Sequence, residues 1–235
     1  YLAWSQPSSG DGELHALWIA DTRGEGALRL TSGQYHDRSP DFTHDGKHLV
    51  FLSDRTFDPH YNAHAFDLAF TGATRPWLIP LSATEPAPFG PSADGWPVSP
   101  ARPRAEDETV TCPDLDAEGA EERIVPFPVP SAEYRDLRCV DGGVLWIEVH
   151  REQGALGSRR AGVKEEPVPD SLERWSFEAR KVETIVEAVD RYAVSGDGQR
   201  VVVRRKDDVT VVPAGRPAKE DAVKVDLSRL RFTVD

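Results

Sequence analysis

The stretch YHDRSPDFTHDGKHLVFLSDR, residues 35–55, decides the fold. A short strand over 39–43 runs into His44-Asp45-Gly46-Lys47. Asp-Gly is a strong hairpin signal, because glycine, and less easily aspartate, accepts the positive φ that a tight primed turn demands. The chain returns through His48-Leu49-Val50-Phe51-Leu52, apolar almost without a break. Such a strand needs cover on both faces, which stacked sheets provide. Upstream, Leu30-Thr31 reads as the end of an earlier strand. Leu-Thr, Pro40-x-Phe42, Asp45-Gly46, Phe51 and Ser53-Asp54-Arg55 together make one structural unit.

The unit comes back twice. Residues 134–149 repeat strand, Asp141-Gly142 and apolar strand; residues 192–204 do the same around Asp197-Gly198. Repeated supersecondary units with turns at matching places are how a β-propeller appears in sequence. The spacing between turns is 96 and then 56 residues, so the intervening loops differ in length. The fold class read here is all-β, a propeller segment of about four blades over 1–32, 33–131, 132–188 and 189–235. In the first, strands at 1–5, 14–20 and 27–31 fit the second, third and fourth positions of a blade. In the second, 64–70 and 75–81 are strand-like and 122–129 closes the blade. Between them, residues 82–107 form a Pro-rich insertion, since proline removes ladder donors; order resumes at 109–115. In the third, a charged loop over 150–170 precedes strands at 172–177 and 181–186. In the fourth, 209–212 continues the sheet and 227–234 is either its outer strand or the departure towards a further domain. An open arc would leave an apolar face bare at each end, so further blades are expected on the N-terminal side.

Composition narrows function. With 39% hydrophobic residues among 235, a packed core is available. A net charge of −12 argues against nucleic acid, whose phosphates need a basic surface. No apolar run approaches the ~20 residues of a membrane span, and no leader opens the chain. The chain contains no Met, so it is expected to be a fragment of a longer, cytoplasmic protein. Cys112 and Cys139 are too few for a disulfide framework and are read as free buried thiols.

The candidate chemistry is thin. No Gly-x-Ser-x-Gly elbow occurs, so no catalytic residue is assigned. His36, His44, His48, His60 and His64 cluster in sequence. His60 and His64 have the spacing of a zinc pair, but the accompanying Glu is missing, and ordinary loop histidines are the favoured reading. Asp94-Gly95 and the run Asp114, Asp116, Glu118 lack calcium-loop spacing and read as a solvated acidic loop. No metal and no cofactor is therefore expected. Ser53-Asp54-Arg55 offers two readings: substrate contact at the ring mouth, or a turn closed by Asp54 with Arg55 paired to a neighbouring blade. The second is favoured. Arg159-Arg160 has the chemistry to hold a peptide carboxylate but reads first as an exposed basic pair.

Two stretches are more specific. Phe51-Leu-Ser-Asp-Arg55 with Phe57-Asp-Pro59, Ala65-Phe66-Asp67-Leu68 and Arg75-Pro-Trp-Leu78 resembles a propeller of the tricorn protease family. So do Asp116-x-Glu118-Gly119-x-Glu121-x-Arg123-Ile124-Val125-Pro126, Pro128-Val129-Pro130 and the ending Asp226-Leu-Ser228. The resemblance implies the later blades of a seven-bladed ring in a serine peptidase that forms homo-oligomers and degrades short peptides. It implies a substrate channel here and a catalytic domain elsewhere in the parent; channel-lining residues are not assigned. A TolB-like protein-binding propeller and the propeller of a prolyl-oligopeptidase-type enzyme remain as alternatives.

Overall fold

The computed structural model describes residues 1–8, 12, 14–24, 26–56, 60–62, 67–69, 72–89, 115–150, 168–218 and 221–228. The first sheet is antiparallel, in the order β1 (Leu2–Pro7), β2 (His15–Ala20), β3 (Ala27–Arg29). Next come β4 (Asp37–Phe42) and β5 (His48–Ser53). A separate hairpin, β6 (His60–Asn62) with β7 (Asp67–Ala69), interrupts the second sheet before β8 (Arg75–Pro80) and β9 (Val125–Pro126) complete it. The third sheet is β10 (Tyr134–Val140), β11 (Gly143–Glu148), β12 (Ser171–Ser176) and β13 (Lys181–Val186). The fourth is β14 (Arg191–Val194), β15 (Arg200–Arg205), β16 (Asp208–Pro213) and β17 (Val223–Lys224).

The alternation of side chains explains why these sheets stack. In β5, Leu49 and Phe51 point one way and pack with Leu17 and Ile19 of the first sheet and with Leu30 just after it. Val50 and Leu52 point the other way and join Leu137, Val144 and Trp146 of the third. In β11 the next pair, Leu145 and Ile147, packs with Val201 and Val203 of the fourth. β5 and β11 thus each serve two cores, and all six residues of β5 are buried. Burying such side chains contributes about 1.5–3 kcal/mol apiece against leaving them exposed. Phe127 centres the middle core, with ring centroids 6.3 Å from Trp146 and 6.0 Å from Trp175. This is the arc of face-to-face sheets that the repeat predicts.

Several local expectations change. The Asp-Gly turns are not primed: Gly46, Gly142 and Gly198 have positive φ, and their aspartates do not. Two of them are four-residue loops, with Thr43 N donating to His48 O and Ser195 N to Arg200 O, both at matching ends. There Thr43 Oγ1 donates to Asp45 Oδ1 at 2.6 Å and Ser195 Oγ to Asp197 Oδ1 at 2.5 Å, so the aspartate organises the loop through its side chain. Only Asp141-Gly142 is a two-residue connection, between paired Val140 and Gly143. The strand expected over 64–70 shrinks to β7, which pairs with β6 rather than with the main sheet. The fourth sheet closes with Val223–Lys224, not with 227–234; Leu227 and Ser228 are not in a strand, and 229–234 lie outside the described residues. Of the Pro-rich stretch, Phe89 packs against Phe127 at 4.6 Å, while 90–107 lie outside the described residues, as do 109–114.

Candidate functional site along the innermost strands

β4, β10 and β14 each end a sheet; β4 and β10 stand side by side, and hydrogen bonds bring β14 and its turn to the third sheet. Cys139 N donates to Asp41 Oδ2 at 2.8 Å, joining β10 to β4. Tyr192 Oη donates to Leu145 O at 3.1 Å and also to Asp136 O, joining β14 to the third sheet. Asp141 N donates to Gly198 O at 3.3 Å, so neighbouring hairpin turns meet. His44 lies against Gly198 as well; a Cβ there would sit 2.3 Å from the His44 ring. The three turns therefore gather at one end of the innermost strands.

Two of these strands are bulged. β4 shifts register between Arg38 and Asp41, with Ser39 at φ 52°, and β10 between Arg135 and Arg138, with Asp136 at φ 54°. Non-glycine residues avoid this region, and bulges re-aim their neighbours. What they aim is an arginine. Arg38 donates to Asp54 Oδ1 at 2.9 Å and Thr74 Oγ1 at 2.8 Å, and reaches Tyr134 O of the third sheet at 3.5 Å. Arg135 donates to Asp170 Oδ2 at 3.0 Å and reaches Asp190 O, just before the fourth sheet, at 3.1 Å. Each arginine ties its own sheet to the next. Sequence reasoning missed both, yet a signal exists: Arg38, Arg135 and Arg191 each stand seven or eight residues before a turn glycine.

Ser53-Asp54-Arg55 departs from the favoured reading. Among the described residues Arg55 pairs with no neighbouring blade. It donates to Asp37 Oδ2 at 2.9 Å within its own sheet, and Ser53 Oγ donates to Asp37 Oδ1 at 2.5 Å. Asp37 is wholly buried, and the guanidinium lies 4.8 Å from the Tyr35 ring and 5.7 Å from Trp77. A buried pair enclosed this way holds the end of β5 in place. Asp54 receives Arg38 and Thr74.

The clustered histidines part company. His36 Nδ1 is 3.7 Å from Asp54, and its ring is 4.7 Å from His15. Burial, then Arg38, hold its pKa below the ordinary value. His48 is buried, 3.3 Å from Pro86 O, and burial lowers its pKa too. His60 falls in β6 and His64 outside the described residues. Among the described residues no group of three or more His, Cys, Asp or Glu is arranged to hold a metal. Asp116 Oδ2 accepts from Ala83 N at 2.7 Å, a loop closure, while Asp94, Gly95, Asp114, Arg159 and Arg160 lie outside the described residues. Cys139 is a free, buried thiol whose pKa burial raises; Cys112 also lies outside the described residues. A Ser–His contact does occur, His150 Nε2 to Ser171 Oγ at 3.3 Å. Ser171 is buried, and the adjacent Asp170 binds Arg135 and the backbone N of His150 rather than its ring. Among the described residues that contact has no carboxylate that would orient a general base. No helix among the described residues is long and apolar enough to cross a membrane.

Comparison with known proteins fits this geometry. Residues 1–215 match the family model described as the tricorn protease second beta propeller domain. The chain is 44% identical over 243 residues to "Tricorn protease homolog 1" of Streptomyces coelicolor, matching all of this chain and 22% of that protein. It is 36% identical to "Putative tricorn protease homolog 2" of the same organism, over all of this chain and 20% of that protein. A solved structure described as the crystal structure of the tricorn protease superposes with a TM-score of 0.72 at 22% identity, over 97% of this chain and 21% of that one. The chain thus spans about a fifth of the length of these relatives. From the stacked sheets and the match across nearly all their strands, this chain belongs to the tricorn protease family, in its second β-propeller domain.

Proposed function

We propose that this propeller segment guides peptide substrates towards a serine-peptidase domain outside this chain. The observation that carries the reading is that the hairpin turns following β4, β10 and β14 gather into one border in a chain of this family. A border of this kind acts by size and charge: it admits an extended peptide and turns away a folded protein. The ring it belongs to has seven blades, the parent is a cytoplasmic homo-oligomer, and hydrolysis of short peptides is the parent's chemistry. In this reading the segment binds substrate only in passing and carries out no bond cleavage.

The test is a block at the inner border. Gly196 is exposed in the gathered turns, and no atom lies within 4 Å of a Cβ placed there. In the intact peptidase, Gly196→Cys labelled with a bulky maleimide should slow cleavage of long peptides while leaving dipeptide-sized substrates unaffected. Equal rates for all lengths, before and after labelling, would refute guidance through this border.

A further inference from the structure

The third and fourth sheets leave a cleft between them, and we infer that it binds a small aliphatic zwitterion, a dipeptide with two apolar side chains. The cleft arises from side-chain size. Between the second and third sheets the core is filled by rings, Phe127, Trp146 and Trp175 among them. Between the third and fourth, every buried residue of the core is Val, Leu, Ile or Ala. Towards β17 that smaller core gives way to a cavity of about 480 Å³. Sites for small ligands typically enclose ~300–1,000 Å³. Val186 and Ala188 line the cavity at the end of β13, and Val203 and Val212 line it from the fourth sheet. Its charged rim stands by the β15–β16 turn, at the opposite end of β15 from Gly198 and the gathered turns.

The rim carries one base and one acid that meet no counter-charge. Arg205 lies directly opposite Asp208 in register, yet Asp208 binds Lys224 Nζ at 2.5 Å instead. The guanidinium is left with no hydrogen bond or ion pair among the described residues. Glu187, which borders the cavity just after β13, has none either. The two line one cavity from different sheets and do not pair with each other. A ligand that satisfies both needs a carboxylate for the planar fork of Arg205 and an ammonium for Glu187. Between those ends the walls are aliphatic, which favours apolar side chains. In a free amino acid both charges sit on one carbon. In a dipeptide up to ~7 Å of chain separates them, which suits a base and an acid on opposite walls. The volume agrees: an apolar cavity of about 150 Å³ holds one benzene-sized group, and this one has room for two side chains and the backbone that joins them. A purely anionic ligand would leave Glu187 unpaired beside it, and a purely cationic one would leave Arg205. The inference rests on the cleft alone and not on whether the gathered turns guide peptides.

Leucyl-leucine is the probe, added to the whole 235-residue chain, with binding read from amide and methyl chemical shifts. Shifts should centre on Val186, Ala188, Val203 and Val212. The N-acetyl and C-terminal amide forms of the dipeptide, free leucine and glycyl-glycine should each bind about tenfold more weakly. Arg205→Gln and Glu187→Gln should each lower the affinity for leucyl-leucine by about the same factor, and both positions are exposed, so the fold is expected to persist. The pairing can be read directly. Arg205→Gln should have no further effect on the amide form, and Glu187→Gln none on the N-acetyl form. Asp208→Asn removes a rim charge that the ligand does not use and should leave affinity within about twofold. No binding, shifts centred elsewhere, capped dipeptides or leucine bound as tightly as leucyl-leucine, or a loss in Asp208→Asn equal to that in Glu187→Gln would overturn the assignment.

Discussion

The second and fourth sheets are built on one repeat and live in different surroundings. β5, HLVFLS, is buried at every position, whereas β15, RVVVRR, buries only Val201 and Val203. The hairpin loops are nearly superimposable in their bonds: Thr43 with Asp45 in one, Ser195 with Asp197 in the other. The loop is thus a local device, set by four residues, while burial is set by what stacks on each side. The second sheet can therefore keep a buried pair, Asp37 with Arg55, that would have no enclosure in the fourth.

Breaking the comparison at its strongest point means removing that pair. Asp37→Ala leaves the Arg55 guanidinium buried without its counter-charge, and is expected to cost about 3–5 kcal/mol in urea denaturation. A loss below about 1 kcal/mol would mean that the pair is hydrated and that β5 ends at the surface. Next in size, Leu49→Ala should cost about 2–5 kcal/mol by the same measurement, through the cavity left between the first two sheets. Val202→Ala, in β15, should stay within about 0.5 kcal/mol, because the site is exposed. Similar costs at the two sites would erase the distinction between covered and bare faces.

The hairpins sharpen the comparison from the other side. Thr43→Val and Ser195→Ala each remove one hydroxyl that donates to an aspartate, and each should cost about 1 kcal/mol. If the local account holds, the two losses match despite the difference in burial around them. The smallest effect is a pH dependence. Burial lowers the pKa of His48 in the fold, so the unfolded chain binds its proton first. Its contribution is complete above the unfolded value near 6.5 and is lost as pH falls below it towards the folded value. The slope of stability against pH below about 6.5 should therefore flatten in His48→Gln. An unchanged slope would place the acid sensitivity in another group.

Much of the fold was legible because the repeat is written twice over, in turns and in apolar runs. Residues 48–52, 144–148 and 200–204 are in the central strands that their patterns predict. Legibility failed where local composition competes with long-range pairing. His60 reads as a loop histidine, yet 60–62 form β6, because β7 supplies ladder bonds that no window on one strand contains. The outer strand Val223–Lys224 is two residues long, too short for any period to register. At the innermost strands the arginines were visible in sequence but their role was not: their partners lie up to 96 residues away, across a sheet boundary. Asp37, only 18 residues from Arg55 and in the same sheet, was hidden as its partner for another reason: a carboxylate in a strand gives no sign of which basic group will share its burial.

The stacking of the sheets is what all of this rests on, and methyl and amide NOEs on the isotope-labelled chain test it most directly. The account predicts contacts between the side chains of Val50 and Leu52 and those of Leu137 and Val144, and between Leu145 and Ile147 and those of Val201 and Val203. It also predicts no cross-strand amide contacts between β9 and β10 or between β13 and β14. Amide contacts linking those strands into a single ladder, with the methyl contacts absent, would contradict it.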